Sequence, residues 1–324
     1  MWQHHNHSSN VDLLVLPTCS PHDPSRHGAM TAPVSSMLTI AFAFSRPPPL
    51  LLHHHPAMTK FKLLSALSLI LWVASSGVAA ISVHRGQPVD TDQGTETVWT
   101  VSGGGEPIRR LNVISPVDVH VEYVAQGDAD VLAKVILLGG SADVGGIGDV
   151  YTAHKSDGVE LVISANHKSS SGGKWVARVQ LVTPNTLVSI ASYSSGSIVV
   201  KDSVIANGKD VLLSTVSSGD LFVETADALT FGILSINNAG SGDVQLQASS
   251  ITVTNDVKLV TYSSGDVAII TDELEAEAMS IDVVGSGELS IDARRFDVKT
   301  LSTKVAGSGK ASFTSDDGHC NDHT

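Results

Sequence analysis

One corner recurs six times along the chain: Ser195-Gly196-Ser197, Ser218-Gly219-Asp220, Ser241-Gly242-Asp243, Ser264-Gly265-Asp266, Ser286-Gly287-Glu288 and Ser308-Gly309-Lys310. The glycines stand 23, 23, 23, 22 and 22 residues apart. A constant period of this size is the mark of a solenoid, in which each repeat buries its apolar face only against its neighbours.

Alignment on the glycine gives the coil. Two residues after it stand Ile198, Leu221, Val244, Val267, Leu289 and Ala311, and four after it Val200, Val223, Leu246, Ile269, Ile291 and Phe313. Six before it stand Ile190, Leu213, Ile236, Leu259, Ile281 and Thr303, and eight before it Val188, Val211, Leu234, Val257, Met279 and Leu301. Columns spaced by two are strand columns with one face inward. A third apolar patch, Ile205, Leu229, Ile251, Leu274 and Phe296, shifts by a residue between coils. Three short strands per 22–23 residues predict an all-β, single-stranded parallel β-helix. Equivalent strands then stack about 4.8 Å apart. Aromatic residues are 5% of a chain that is 42% hydrophobic, so the core is aliphatic.

The corner glycines Gly196, Gly219, Gly242, Gly265, Gly287 and Gly309 are expected to take φ > 0, which costs glycine little. The acids behind them, Asp220, Asp243, Asp266 and Glu288, fall on successive rungs. As turn caps they would close Asx turns. As a cluster with corner carbonyls they are the candidate metal ligands, and calcium would suit them. The cap reading takes precedence, because calcium-binding nonapeptide solenoids repeat at nine residues rather than 22–23. No cofactor is implied.

Outside the repeat the chain changes character. Residues 1–57 hold eight of the 14 His and the patch Pro47-Pro48-Pro49, with no period, and read as disordered or as a mis-annotated extension. His53-His54-His55 lacks a second ligand set of fixed spacing. Residues 58–80 run from Lys60 and Lys62 through an apolar stretch to Val78-Ala79-Ala80, the pattern of a secretory signal cleaved after Ala80. The alternative is an uncleaved anchor over 63–81, which would put the chain on a membrane. Residues 81–106 read as a polar linker, 107–315 as the β-helix domain and 316–324 as a disordered tail with the free thiol of Cys320. The expected location is secreted or cell-surface. All but two of the 33 acidic residues (Asp12 and Asp23) lie beyond residue 80, in a chain of net charge −13. That balance excludes nucleic acid as a partner.

Between 108 and 184 the period is lost. Val117 to Tyr123 alternates cleanly, Gln126-Gly127-Asp128 turns the chain, and strands are expected at 131–138, 159–164 and 175–182. The glycine-rich loop 139–148 lacks the Gly-Lys-Ser/Thr of a phosphate loop. These pieces are expected to form irregular first coils that cover the open end of the solenoid.

Val117-Asp118-Val119 with Gln126-Gly127-Asp128, then Asp157-Gly158-Val159-Glu160-Leu161, Thr183-Pro184 and the Ser-Gly-Asp corners resemble the auto-transporter adhesin family with the head GIN domain. The resemblance covers roughly 108–313. It implies a parallel β-helical domain, secreted or surface-exposed, with no catalytic residues. The eleven residues after Phe313 leave no room for a membrane barrel.

Two functions follow. The first is a structural or adhesive module that shows its faces to a surface, glycan or protein ligand. The alternative is a polysaccharide-active enzyme, which needs carboxylates and basic groups gathered on one outer face. Asp272, Glu273, Glu275 and Glu277 with Arg294, Arg295 and Lys299 on the next coil are the candidate patch; alternating charge on a solvated face is the plainer reading. Tyr193 and Tyr262, three before the corner glycine, are expected to pack, and His120 to be a surface residue.

The repeat makes a direct prediction. Deleting residues 243–265, one full period, should leave a cooperative β-rich fold. Deleting about half a period should not, because inward columns then meet outward ones. Circular dichroism and thermal melts of the two deletions check this, and equal behaviour would refute the repeat.

Overall fold

The structure, a computed structural model, describes residues 80–92, 94–125, 130–139, 148–165 and 175–316. The signal or anchor at 58–79, the His53–His55 triplet, Gln126-Gly127-Asp128, most of the loop 139–148 and Cys320 lie outside the described residues. What is described is a β-solenoid of about five turns without a helix.

Each apolar column becomes a ladder. On the first face, β10 (Ser189–Ser192), β12 (Lys209–Thr215), β14 (Ala228–Asn238) and the later halves of β15 (Val244–Thr261), β16 (Val267–Gly285) and β17 (Glu288–Gly307) pair in parallel. Their register is Ile190↔Leu213↔Ile236↔Leu259↔Ile281↔Thr303, the column six before the glycine. On the second face, β11 (Ile198–Val200), β13 (Leu221–Glu224), the starts of β15, β16 and β17, and β18 (Lys310–Thr314) stack Ile198 on Leu221, Val244, Val267, Leu289 and Ala311. The third face stacks Leu229 on Ile251, Leu274 and Phe296. Members of these columns through Ile291 are buried. Each buried aliphatic contributes roughly 1.5–3 kcal/mol relative to exposure.

The corner glycines do not take φ > 0; among the described residues that conformation is found at eight other glycines, Gly208 and Gly285 among them. The reason for glycine is room. A Cβ on Gly219 would lie 2.1 Å from the carbonyl oxygen of Gly196. The same contact would be 2.3 Å for Gly242 on Gly219, 2.1 Å for Gly265 on Gly242 and 2.3 Å for Gly287 on Gly265. Each corner backbone rests on the one below.

Inside the corner runs a column the apolar pattern hides. Ser192, Thr215, Asn238 and Thr261, four before each glycine, are fully buried. Thr215 Oγ1, Asn238 Nδ2 and Thr261 Oγ1 donate to the carbonyl oxygens of Gly219, Gly242 and Gly265 at 2.9, 2.8 and 3.0 Å. A buried carbonyl without a partner costs about 1–3 kcal/mol, so these side chains close the turn from within. At Val283 the column turns apolar and the solenoid approaches its end.

The start of the chain departs from the expected order in two ways. Residues 81–106 are not a linker: they form β1 (Ser82–Arg85), β2 (Val89–Thr91) and β3 (Gly94–Ser102). In β3, Thr95, Thr97, Trp99 and Val101 are buried and alternate with half-buried residues. Two of the four inward residues are threonines, which disguised the strand. Second, the coils are not stacked in chain order. β4 (Ile108–Val113) and β5 (Asp118–Tyr123) pair with β10 and β11 on one side. On the other side they pair with β8 (Gly158–Ala165) and β9 (Trp175–Leu181), which come later in the chain. Antiparallel strands finish that end: β6 (Val131–Gly139) on β9, β3 on β6, and β7 (Gly148–Lys155) on β8. They cover the open end, as expected of the irregular segment.

The other end is guarded by charge. Arg294, Arg295, Lys299 and Lys310 of the last coil each pair with an acid of the coil before, Asp272, Glu273, Glu277 and Glu288. Cations on an edge strand discourage pairing with another chain.

Steric room and backbone conformation predict different alanine costs. Gly242→Ala should lower stability by about 2–3 kcal/mol, the range for forced overpacking. Gly208→Ala, at φ 68° with nothing near its Cβ, should cost about 1 kcal/mol. Urea midpoints of the two variants check this; equal losses would remove close approach as the reason for the corner glycine.

Candidate functional site

The Ser-Gly corner is a ridge with two flanks, and both flanks are ordered by the rung spacing. On the second-face flank run the acids. Asp118 stands one rung below Ser197, followed by Asp220, Asp243, Asp266, Glu288 and Lys310. Neighbouring carboxylates about 4.8 Å apart repel by roughly 1 kcal/mol in bulk water and more near a protein. The backbone relieves part of this. Asp118 Oδ1 accepts from the Ser197 N–H, Asp220 Oδ1 from Asp243, Asp243 Oδ1 from Asp266, and Asp266 Oδ1 from Glu288, at 2.7–3.0 Å. These acids are caps, yet each caps the next rung rather than its own turn. Ser197 Oγ also donates to Asp220 Oδ2 at 3.3 Å. Glu288 pairs with Lys310 at 2.8 Å. Among the described residues no cation lies within ion-pair distance of Asp220, Asp243 or Asp266. Nor do the described residues gather three metal-ligating side chains anywhere; the acids are strung in a line.

On the first-face flank, three residues before each glycine and at Ile114, which register sets beside Tyr193, runs an apolar row. It comprises Ile114, Tyr193, Val216, Ala239, Tyr262 and Val284. Tyr193 and Tyr262 do not pack. They are 51% and 56% exposed, and Ile114, Val216 and Val284 are 46%, 47% and 36% exposed. The residue preceding them, four before the glycine, turns inward to close the corner, so the strand alternation throws this position out. Five of the ten exposed large hydrophobic residues among those described fall in this one row. It is about 24 Å long at the rung spacing. Patches of this kind on a soluble surface mark contact sites. Between the flanks, the crest shows the hydroxyls of Ser195, Ser218, Ser241, Ser264 and Ser286, all exposed.

The acid–base patch of the last two coils is spent on itself. Arg294 meets Asp272 at 2.8 Å and Arg295 meets Glu273 at 2.8 Å, while Lys299 binds Glu277. The carboxylate partners raise the Arg294 and Lys299 pKa values, mainly through the hydrogen bonds. A groove of about 450 Å³ on the first face holds Arg110, Asp157, Asp210 and Lys258. Register places Arg110 and Lys258 four rungs apart. That is about 19 Å, so its charges do not converge. Arg110 donates to Asp157 at 2.8 Å and holds its carboxyl below the ordinary 3.8. This pair therefore adds stability above the ordinary carboxylate value and loses it as pH falls through the lower folded value. His120 is exposed on the outer side of β5.

Neither a protein-family model nor a curated relative matches the chain. Among solved structures it is similar to a candidate adhesin from Bacteroides fragilis NCTC 9343, with 13% identity over 72% of this chain and 97% of that one, at a TM-score of 0.45. It is also similar to a candidate adhesin from Parabacteroides distasonis ATCC 8503, with 14% identity, 68% and 98% coverage and a TM-score of 0.39. A third is a candidate cell adhesion protein from Clostridium sporogenes ATCC 15579, with 10% identity, 70% and 100% coverage and a TM-score of 0.29. At these scores the likeness carries no argument about this chain.

The caps should be worth a hydrogen bond each and need no ion. Asp243→Ala, which orphans the Asp266 N–H, is expected to cost about 1 kcal/mol, and Asp243→Asn much less, since an amide oxygen still accepts. Thermal melts with calcium and with chelator should coincide. A chelator-reversible rise in Tm, absent from the double variant Asp243→Asn/Asp266→Asn, would instead make calcium part of the fold.

Proposed function

We propose that the chain is a secreted or surface-displayed β-solenoid that acts as a binding module of the adhesive kind, and that it meets its partner along the Ser-Gly ridge. The observation that carries this reading is the straight exposed row of Ile114, Tyr193, Val216, Tyr262 and Val284. A rigid row of apolar side chains with no packing role in the coil gains free energy only by being covered from outside. The rigidity matters too: side chains fixed on stacked strands lose little freedom when a partner arrives. Asp272, Glu273 and Glu277 already pair with Arg294, Arg295 and Lys299 of the next coil, and this favours binding over polysaccharide cleavage. The adhesin names of the similar structures belong to the same class of function, and the reading does not depend on them.

Adhesion of the full chain, immobilised on beads, to panels of cells, glycans and proteins tests this. The double variant Tyr193→Ser/Tyr262→Ser should lose about tenfold in retained binding, a difference of roughly 1.4 kcal/mol. Its Tm should barely move, as expected for exposed positions. A wild-type chain that holds to nothing, or a variant that holds as well, would end the proposal.

A further inference from the structure

The ridge offers three parallel rows, and together they narrow the chemistry of what would lie on them. We infer that the ridge binds a linear β-linked glycan of amino sugars bearing free ammonium groups, laid along the solenoid axis. This rests on the ridge being the contact surface.

Charge complementarity is the first ground. Asp220, Asp243 and Asp266 form three successive carboxylates with no ion-pair partner among the described residues, on a chain of net charge −13. One oxygen of each accepts from the N–H of the next rung, the other oxygen of Asp220 accepts from Ser197 Oγ, and Asp243 and Asp266 are exposed. The carboxylates stand in file, one per rung. A single metal ion needs its ligands gathered around a point. A line of single charges is matched by a line of single cations.

The apolar row supplies the second ground. A pyranose ring has a C–H face that lies flat on an aromatic side chain, while its rim carries hydroxyls. Tyr193 and Tyr262, three rungs apart with Val216 and the half-buried Ala239 between them, offer such a platform at two points on one side of the crest. The serine row can both donate to and accept from ring hydroxyls. A cation near a tyrosine face is itself attracted by the ring quadrupole.

Spacing is the third ground. Rungs repeat at about 4.8 Å, whereas an extended peptide advances about 3.3–3.4 Å per residue. A lysine-rich strand would therefore run out of step with the carboxylates. A β-linked sugar chain advances by about the length of one pyranose ring, close to one rung. Successive β-1,4-linked rings are turned over about the chain axis, so the ammonium groups on one side recur about every second rung and meet alternate carboxylates, while apolar ring faces and hydroxyl rims lie along the other two rows.

The test is titration calorimetry of the full chain with the fully deacetylated hexamer of β-1,4-linked glucosamine, at mildly acidic pH where its amines are charged. The N-acetylated hexamer and hexalysine are the comparison probes. The glucosamine hexamer should bind about tenfold or more tighter than either, and binding should weaken with salt. Asp243→Asn/Asp266→Asn, which keeps the rung-to-rung acceptors, and Tyr193→Ser/Tyr262→Ser should each weaken it by about tenfold or more. Equal binding of the N-acetylated hexamer would overturn the role of charge. Equal binding of hexalysine would make the partner a basic peptide and overturn the glycan. Binding untouched by either double variant would place the site elsewhere and overturn the inference as well. If the chain adheres through Tyr193 and Tyr262 but the glucosamine hexamer neither binds nor competes, this inference fails while the binding-module reading stands. If adhesion itself is absent, that reading fails first.

Discussion

The structure depends on how closely one corner can sit on another. Parallel strands fix a rung spacing of about 4.8 Å along the three faces, and the corners must keep the same pitch. They do so by resting backbone on backbone, with room for no side chain at the glycine. Every other regularity follows from that contact. The carbonyl oxygens of the three middle corner glycines, Gly219, Gly242 and Gly265, are capped from inside by Thr215, Asn238 and Thr261. The acid just beyond the glycine reaches the next rung's N–H from outside. Inner and outer caps hold the same turn from opposite sides, and neither would find its partner if the pitch were larger.

The outer surface inherits this order. A residue type repeated at one position of the coil becomes a continuous row on the molecule. The apolar row, the hydroxyl row and the carboxylate row are therefore single-coil features multiplied. A repeated coil thus orders the surface along the whole solenoid, outside any groove. The cations of the last coil, Arg294, Arg295, Lys299 and Lys310, follow the same order. They complete the acid rows of the coil before and close the edge.

The coil itself was legible because its glycine period and its paired aliphatic columns point to the same register. Ile190 to Ile281 and Ile198 to Leu289 fall where spacing puts them. Three things were not legible, each for a physical reason. The glycine was read as a conformational need, since sequence shows a residue's freedom and not its neighbour one coil away. The threonines of β3 and the Ser192–Thr261 column hide inward positions, because a small polar side chain that packs in the core, several with a backbone acceptor there, looks outward-facing in sequence. Tyr193 and Tyr262 were expected to pack, because the period alone does not say which side of a tight corner a residue takes. The acids were read as caps of their own turns, whereas each accepts from the N–H of the next rung; a linear alignment cannot distinguish capping one's own turn from capping the turn 23 residues on.

The out-of-order winding at the amino-terminal end bears on how the molecule responds to tension. Coil β4–β5 is laid first and then enclosed, with the later coil β8–β9 on one side and β10–β11 on the other. A pull on the carboxy-terminal end meets rungs that come away singly, last in chain order and outermost in space. From the amino-terminal side the antiparallel strands β1, β2 and β3 come first, and behind them the first coil, β4–β5, is an inner one, held on both sides at once. Load applied between the two termini is therefore borne unequally, with a clamp at one end and a ratchet of separable rungs at the other.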